Sequence, residues 1–95
     1  MQLDSIICTE KVEDKLVAKH NATCREARQV LLGNPRVRFA ERGHTAGQDV
    51  YAAFGRTWSG RYMAVFFIHK PAEHIAIIIS AREMTEQERK RYGRK

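Results

Sequence analysis

The sequence predicts an α+β domain in which helices pack on an antiparallel or mixed sheet, with the element order β-α-α-β-β-β-β-α. Two runs, Ile75–Ile79 and Tyr62–His69, are apolar on both alternating faces, as is typical of central strands covered on both sides. On either side of Asn21, apolar residues recur with the helical period instead. Because the chain has 95 residues, we expect residues 1–95 to form a single domain around one core.

The first three elements follow from short local patterns. Residues 2–8 end in an apolar run and predict a first strand. Thr9 can cap a helix over residues 10–20, whose apolar face is formed by Val12, Leu16 and His20. Asn21 tolerates the left-handed conformation and should end this helix. Thr23 and Glu26 are spaced as a capping box, so a second helix should begin there.

Glycine and proline mark where the helices give way to strands. Gly33 and Pro35 end the second helix, and the apolar period then becomes two. Val37 and Phe39 alternate with Arg36, Arg38 and Ala40, which predicts a half-exposed strand.

A loop over residues 41–47 leads to the three strands that complete the predicted sheet. Val50, Ala52 and Phe54 alternate with Tyr51 and Ala53 in the first of them. Turns at residues 55–60 and 70–73 then connect the three strands as an antiparallel meander. A last helix should begin near Glu86, because Thr85 and Glu88 again have capping-box spacing.

The two cysteines, Cys8 and Cys24, are expected to be buried free thiols. The N-terminal residues lack the basic and apolar regions of a signal peptide, which favours a cytoplasmic protein and a reducing compartment. His20 lies near Cys24 in sequence, but the predicted helix break at Asn21 argues against a zinc site, and we expect no metal and no cofactor. No apolar run approaches the roughly 20 residues that span a bilayer, so we expect no membrane partner.

The charge distribution indicates a polyanionic or acidic partner. The net charge is +6, and no acidic residue occurs from Val50 to Ala72. The segment Arg89–Lys95 contains five cations and no acid. These cations can simply be solvated at a helix end, where they complement the helix dipole, or they can attract phosphate groups.

Several short motifs, in this order and spacing, resemble the BrnT toxins of bacterial type II toxin–antitoxin systems, which have a RelE-like ribonuclease fold. The chain departs from the family at Asn21, where glycine is common, and at Ile77, where an arginine is common; the tryptophan and asparagine typical of the family's first helix are also missing. The motifs are Lys19-His20, Glu26-Ala27, Tyr51, Gly55-Arg56-Thr57, Gly60-Arg61, Ile79-Ser80-Ala81-Arg82, Glu88-Arg89 and Tyr92.

The resemblance implies RNA cleavage without a metal. Such a reaction needs a base for the 2′-hydroxyl, cations for the charge that develops on phosphorus, and an acid for the leaving 5′-oxygen. Arginine suits the second task because its planar guanidinium binds two phosphate oxygens at once. His20, Glu88 and Tyr92 are the candidates for the base. The implied site comprises Arg61, Arg82, His20, Glu88 and Tyr92 as catalytic residues, and Arg56, Arg89, Lys90, Trp58 and Tyr51 as contacts to RNA or phosphate.

Each assignment has a structural alternative. Arg61 and Arg82 can form ordinary ion pairs, for which Glu73, Glu83 and Asp49 are the available partners. The role of Glu88 can be limited to closing its capping box. Tyrosines more often pack at the edge of a core than stack on RNA bases.

Two functions therefore remain open. The first is an endoribonuclease toxin that acts on single-stranded RNA and is neutralised by a BrnA-like antitoxin, through which alone the complex would bind operator DNA. The second is a binding module of the same fold that has lost catalysis, and Ile77 in place of the family's arginine favours it.

Overall fold

The structure, a computed structural model, describes residues 2–45 and 47–93, and it confirms the predicted order of elements. Ala46, in the predicted loop, lies outside the described residues. No helix within the described ranges is long and apolar enough to cross a membrane. The elements are β1 (Ser5–Ile7), α1 (Glu10–His20), α2 (Cys24–Leu32), β2 (Arg36–Glu41), β3 (Val50–Arg56), β4 (Tyr62–Lys70), β5 (Ile75–Glu83) and α3 (Glu86–Gly93).

The five strands form one mixed sheet in the order β1-β5-β4-β3-β2. Strands β2 to β5 pair antiparallel with their neighbours, which confirms the predicted meander. The short strand β1 instead runs parallel to β5. It covers only Ser5–Ile7, so the first strand is shorter than residues 2–8. The chain reaches β5 from the opposite edge, and β5 therefore lies between β1 and β4.

The helix boundaries confirm the capping predictions. The Thr9 side chain accepts a hydrogen bond from the Val12 amide at the start of α1, and Asn21 is left-handed, with φ 49°, at its end. Thr23 and Glu26 form both hydrogen bonds of the capping box that opens α2. The loop between the two helices is thus fixed by local side-chain chemistry.

One face of the sheet, called here the helix side, is covered by α1 and α2. Helix α1 packs on β5, and α2 packs on β3 and β4. Leu16 from α1 and Val30 from α2 are fully buried against side chains of the sheet such as Met63, Val65 and Phe67. Burial of this apolar surface is the main stabilising contribution to the domain.

A β-bulge in β5 changes which residues reach the core. Phe66 pairs with Ser80 but Phe67 pairs with Ile78, so Ile79 is the extra residue. The bulge shifts the alternation, and Ile78 before it and Ala81 after it both lie in the core. The isoleucine strand was expected to be covered on both sides, but its second face is only half-buried because α1 and α2 cover one face alone.

Strand β2 is the edge of the sheet and differs from the half-exposed strand that was predicted. All six of its residues are exposed. Val37 and Phe39 lie on the helix side, yet they remain 40% and 57% exposed, because α2 covers β3 and β4 and does not extend over this edge. Alternation alone does not reveal where a covering helix stops.

The prediction of two free thiols is wrong, because Cys8 and Cys24 form a disulfide. The bond joins the segment after β1 to the first residue of α2 and closes a loop with a sequence separation of 16. The spacing of the cysteines in the sequence did not predict this bond, because they come together only when α1 has packed so that the start of α2 lies beside the segment after β1.

We expect the Cys8→Ser/Cys24→Ser variant to lose stability. A cross-link that closes a loop of about 15 residues contributes roughly 3 kcal/mol, chiefly by restricting the unfolded chain. Urea denaturation of the oxidised wild type and the variant measures the difference. Wild type treated with a reductant should match the variant, and an unchanged unfolding midpoint after reduction would contradict the disulfide's stabilising role.

Candidate functional site

The sheet face opposite α1 and α2, called here the outer face, collects arginines and aromatic rings from four strands. The register places Arg36, Phe54, Ala64 and Arg82 opposite one another across β2, β3, β4 and β5. Alternation puts Arg38, Arg56, Tyr62 and Phe66 on the same face. Helix α3 lies across one end of this face.

An ion pair between Arg82 and Glu88 joins the sheet to α3. The Arg82 Nη1 and Nη2 atoms donate to the two Glu88 carboxylate oxygens at 2.7 and 2.9 Å. Glu88 also closes the predicted capping box, since its carboxylate accepts from the Thr85 amide and its own amide donates to the Thr85 hydroxyl. The hydrogen bond from Arg82 lowers the pKa of Glu88 to about 2 and raises that of Arg82.

Tyrosine rings hold further arginines beside this ion pair. The Arg89 and Arg56 guanidinium carbons lie 4.1 and 5.0 Å from the centre of the Tyr62 ring. The Tyr62 and Tyr92 rings meet edge to face at 6.0 Å, and the Arg36 guanidinium carbon lies 5.6 Å from the Tyr92 centre. Cation–π contact fixes these charges without neutralising them, so they remain available to an anion.

A cleft opens between β2 and α3, with a volume of about 100 Å³. Three of its side chains are cationic and two are aromatic, so an anionic or aromatic ligand suits it. The lining residues are Arg36, Arg38, Phe54, Glu88, Arg91 and Tyr92.

Arg61 points away from the outer face, although it was predicted to act with Arg56 and Arg82. Its Nη1 atom donates to Glu26 at 2.6 Å and to the Asn21 carbonyl at 3.0 Å, and its Nη2 atom donates to Glu83 at 3.2 Å. The hydrogen bonds to the two carboxylates raise the pKa of Arg61, and the bond to Glu26 contributes most. Arg61 therefore ties the end of α1 and the start of α2 to the sheet.

Other predicted site residues are also on the helix side or apart from the cleft. His20 is at the C-terminal end of α1, and Tyr51 packs against Phe39 and Phe67. Trp58, 78% exposed, lies in the turn between β3 and β4, where its amide donates to Gln29. Lys90 is on α3, near Glu86 at 3.9 Å. Thus Arg82, Glu88, Tyr92, Arg56 and Arg89 are the predicted residues that the outer face brings together.

The contribution of β2 to this face was not predicted from the sequence. Arg36 and Arg38 were recognised as alternating with Val37 and Phe39, but the function of that polar face was not considered. The available signal was a pair of arginines two residues apart, which lie on the same side of a strand. Their proximity to Tyr92 and Arg91 depends on where α3 lies, which no local pattern shows.

His69 is the one described residue with a buried side-chain nitrogen or oxygen, Nε2, that lacks a hydrogen-bond partner within the described ranges. Burial lowers the pKa of its imidazole, and its ring packs edge-on against Tyr51 and Phe67. It belongs to the aromatic packing of the helix side. Across residues 2–45 and 47–93, no group of three or more His, Cys, Asp or Glu is placed to hold a metal ion.

Comparison with known proteins identifies the class of fold and then the family. The chain is similar to the 1.1 Å crystal structure of the Brucella abortus ribonuclease toxin BrnT, with a TM-score of 0.61 and 20% identity over 86% of this chain and 97% of that one. It therefore has the fold of this small α+β toxin. The model of the family described as "Ribonuclease toxin, BrnT, of type II toxin-antitoxin system" matches residues 9–88, and the chain belongs to that family. No curated protein matches it.

Replacing Glu88 by glutamine tests the ion pair to Arg82. Glutamine can still close the capping box, so the change removes mainly the charge. The native pKa of about 2 lies below the usual 4.5, so the stabilisation is present above about pH 4.5 and is lost as the pH falls towards 2. We expect Glu88→Gln to lower the free energy of unfolding by about 1–2 kcal/mol at pH 7, measured by urea denaturation.

The matched control is Glu86→Gln, because Glu86 is 88% exposed and lies two residues earlier on α3. It should change stability little at any pH. A difference between wild type and Glu88→Gln that stays constant from pH 7 to pH 2 would contradict the assignment.

Replacing Arg61 by methionine tests whether it is a structural residue. Methionine keeps much of the aliphatic stem but leaves Glu26 and Glu83 without their cation, so we expect a loss of about 1–3 kcal/mol in the free energy of unfolding. Arg56→Met removes an arginine that pairs with no carboxylate in the described part of the chain and that contacts the Tyr62 ring, so it should change the free energy of unfolding by about 1 kcal/mol or less. Equal losses for the two variants, measured by urea denaturation, would argue against the structural role.

Proposed function

We propose that this chain is an endoribonuclease toxin that cleaves RNA at the outer face without a metal ion and acts in the cytoplasm as a single domain. Membership of the BrnT family supports ribonuclease activity. The observation that carries the location is the concentration of arginines around Tyr62 and Tyr92, opposite the helices. The same face contains Ser80 and Arg82 of the Ser80-Ala81-Arg82 motif, whose Ala81 lies in the core, and the start of α3.

The arginines of this face suit the binding of an RNA backbone. Arg56 and Arg89 contact the Tyr62 ring and pair with no carboxylate among residues 2–45 and 47–93, so their charge can face phosphate. Such contacts give affinity that does not depend on sequence and that falls as salt increases. Arg82 has a different role. Both of its terminal nitrogens donate to Glu88, so it positions that carboxylate at the cleft.

Tyr92 is the group at the cleft that can transfer a proton. Glu88, with a pKa of about 2, is a carboxylate near neutral pH, but both of its oxygens accept from Arg82, so it is a weak base and serves to hold α3. The Tyr92 hydroxyl can donate to the leaving 5′-oxygen, while the 2′-hydroxyl loses its proton to water. We assign proton transfer to Tyr92, with Arg82 and Glu88 as the positioning residues. The cations around them would stabilise the charge that develops on the phosphate.

A BrnA-like antitoxin is the expected partner within the proposal. To silence the toxin it would cover the outer face, and complementarity then calls for an acidic surface or segment. Operator DNA would be bound by the antitoxin and not by this chain.

The alternative function is a catalytically inactive binding module, and the position of Ile77 favours it. Ile77 pairs with Ile68 on the side of β5 that faces away from the helices. An arginine there, as is common in the family, would extend the cationic face. Its absence weakens the electrostatic stabilisation available to a reacting phosphate, while the remaining arginines still suffice for binding.

Cleavage of a labelled single-stranded RNA by purified protein, in the presence of a chelator, tests the proposal. We expect wild type to cleave, and Tyr92→Phe to be slower by about 100-fold or more, since a general acid or base contributes roughly 10²–10⁴. His20→Gln tests the remaining candidate base on the helix side, and Arg61→Met tests the remaining arginine. Both should retain activity per folded molecule if the outer face is the site.

Arg25→Ala is the matched control for loss of one positive charge, because Arg25 is exposed on α2. It should cleave like wild type. Binding of RNA without cleavage by wild type would support the inactive module and overturn the proposed activity. Loss of activity in His20→Gln together with full activity in Tyr92→Phe would move the site to the helix side.

A further inference from the structure

The cleft between β2 and α3 is small and is lined mainly by arginines and aromatic rings. Its volume of about 100 Å³ is well below the roughly 300–1,000 Å³ of a pocket for a whole drug-sized ligand. It is open on the outer face, where the proposed RNA path runs, so a base could enter while its phosphates stay outside. The inference developed from this cleft deepens the proposed function and rests on it.

Phe54 provides an unoccupied ring at the floor of the cleft. It is half-buried between Arg36 on β2 and Ala64 on β4, its partners in the sheet register. Among the described residues its ring packs on no other aromatic ring and carries no arginine, in contrast to Tyr62 and Tyr92. An aromatic ring that is fixed by a strand and open on one face is a suitable platform for stacking an unpaired base.

The two arginines of β2 have different surroundings. Arg36 lies against the Tyr92 ring and holds that wall of the cleft. Arg38 is exposed and, within residues 2–45 and 47–93, forms no ion pair and no cation–π contact. Its planar fork of donors is therefore free to meet the edge of a base that stacks on Phe54.

The polar groups of the cleft favour a base with two acceptors on one edge. Arg38 and Arg91 offer only donors. The carboxylate that could accept from an amino group, Glu88, is already bound by Arg82 and by the Thr85 amide. Guanine presents O6 and N7 together, and an arginine fork binds this pair in the commonest specific contact between a side chain and a base. Adenine presents N7 beside an amino donor, which the fork cannot satisfy.

We propose that the cleft is a guanine subsite, in which Phe54 stacks the base and Arg38 binds its O6 and N7. The toxin would then prefer to bind RNA that contains a guanine near the cleaved bond. Arg36 is a positioning residue in this arrangement, because it holds the ring of Tyr92 and does not meet the base itself.

Binding of short RNAs that cannot be cleaved tests the subsite separately from catalysis. The probes are 2′-O-methyl pentanucleotides of uridine that contain one central guanine, adenine or 7-deazaguanine, titrated by fluorescence anisotropy at fixed salt. We expect the guanine probe to bind about tenfold tighter or more than the adenine probe, since a bidentate contact discriminates by roughly 1–3 kcal/mol. The 7-deazaguanine probe, which lacks N7, should lose most of this advantage.

Three variants separate base recognition from charge. Arg38→Lys keeps the positive charge but not the fork, so it should lose the guanine preference while binding the all-uridine probe nearly as wild type does. Phe54→Leu keeps an apolar side chain but not the stacking, and should weaken binding of both purine probes. Arg25→Ala, on the opposite side of the domain, should keep the preference.

Equal affinities of wild type for the guanine and adenine probes would overturn the inference, as would a guanine preference that survives in Arg38→Lys. If RNA is nevertheless cleaved, the proposed function stands without the subsite. If the preference is present and depends on Arg38, but wild type leaves all RNA intact, the subsite stands and the proposed enzymatic function fails.

Discussion

The Arg82–Glu88 ion pair is the contact on which the site depends, because it fixes α3 to the outer face. Helix α3 has no buried residue, so apolar burial contributes little to its position. The paired carboxylate also caps the helix through Thr85, which couples the start of α3 to the end of β5. Tyr92 also contacts Tyr62 and Arg36, so the ion pair and these ring contacts together keep α3 in place as the second wall of the cleft.

The two sides of the sheet differ in composition because successive side chains along a strand point to opposite faces. On the helix side, Met63, Val65 and Phe67 form the core, while Tyr62 and Phe66 of the same strand face outward. The bulge at Ile79 maintains this division along β5, since it returns Ala81 to the core and leaves the next residue for the outer face. One strand thus supplies side chains to the core and an arginine, Arg82, to the outer face.

Local sequence patterns predicted most of the fold. The features that they missed are contacts between residues that are far apart in the sequence. The capping boxes at Thr23 and Thr85 gave the helix starts, because a cap depends on residues three apart. Glu83 was named as a possible partner of Arg61, and the structure confirms that pair. The disulfide partner of Cys8 and the Glu26 partner of Arg61 could not be found from local patterns, since each pairing depends on how α1 and α2 return to the sheet. For the same reason, the sequence predicted the residue types of the candidate site, which are arginines with a tyrosine and a glutamate. It did not predict which of these residues share one face of the sheet.

Photocrosslinking of a bound RNA gives the most direct test that the outer face is where RNA lies. Aromatic rings occur on both sides of the sheet, so crosslinks on the outer face can be compared with crosslinks on the helix side of the same protein. RNA containing 4-thiouridine, irradiated on the protein and mapped by mass spectrometry, should give adducts at Phe54, Tyr62 and Tyr92. Adducts confined to Tyr51 and Trp58, which lie on the helix side and in the exposed turn, would contradict the account.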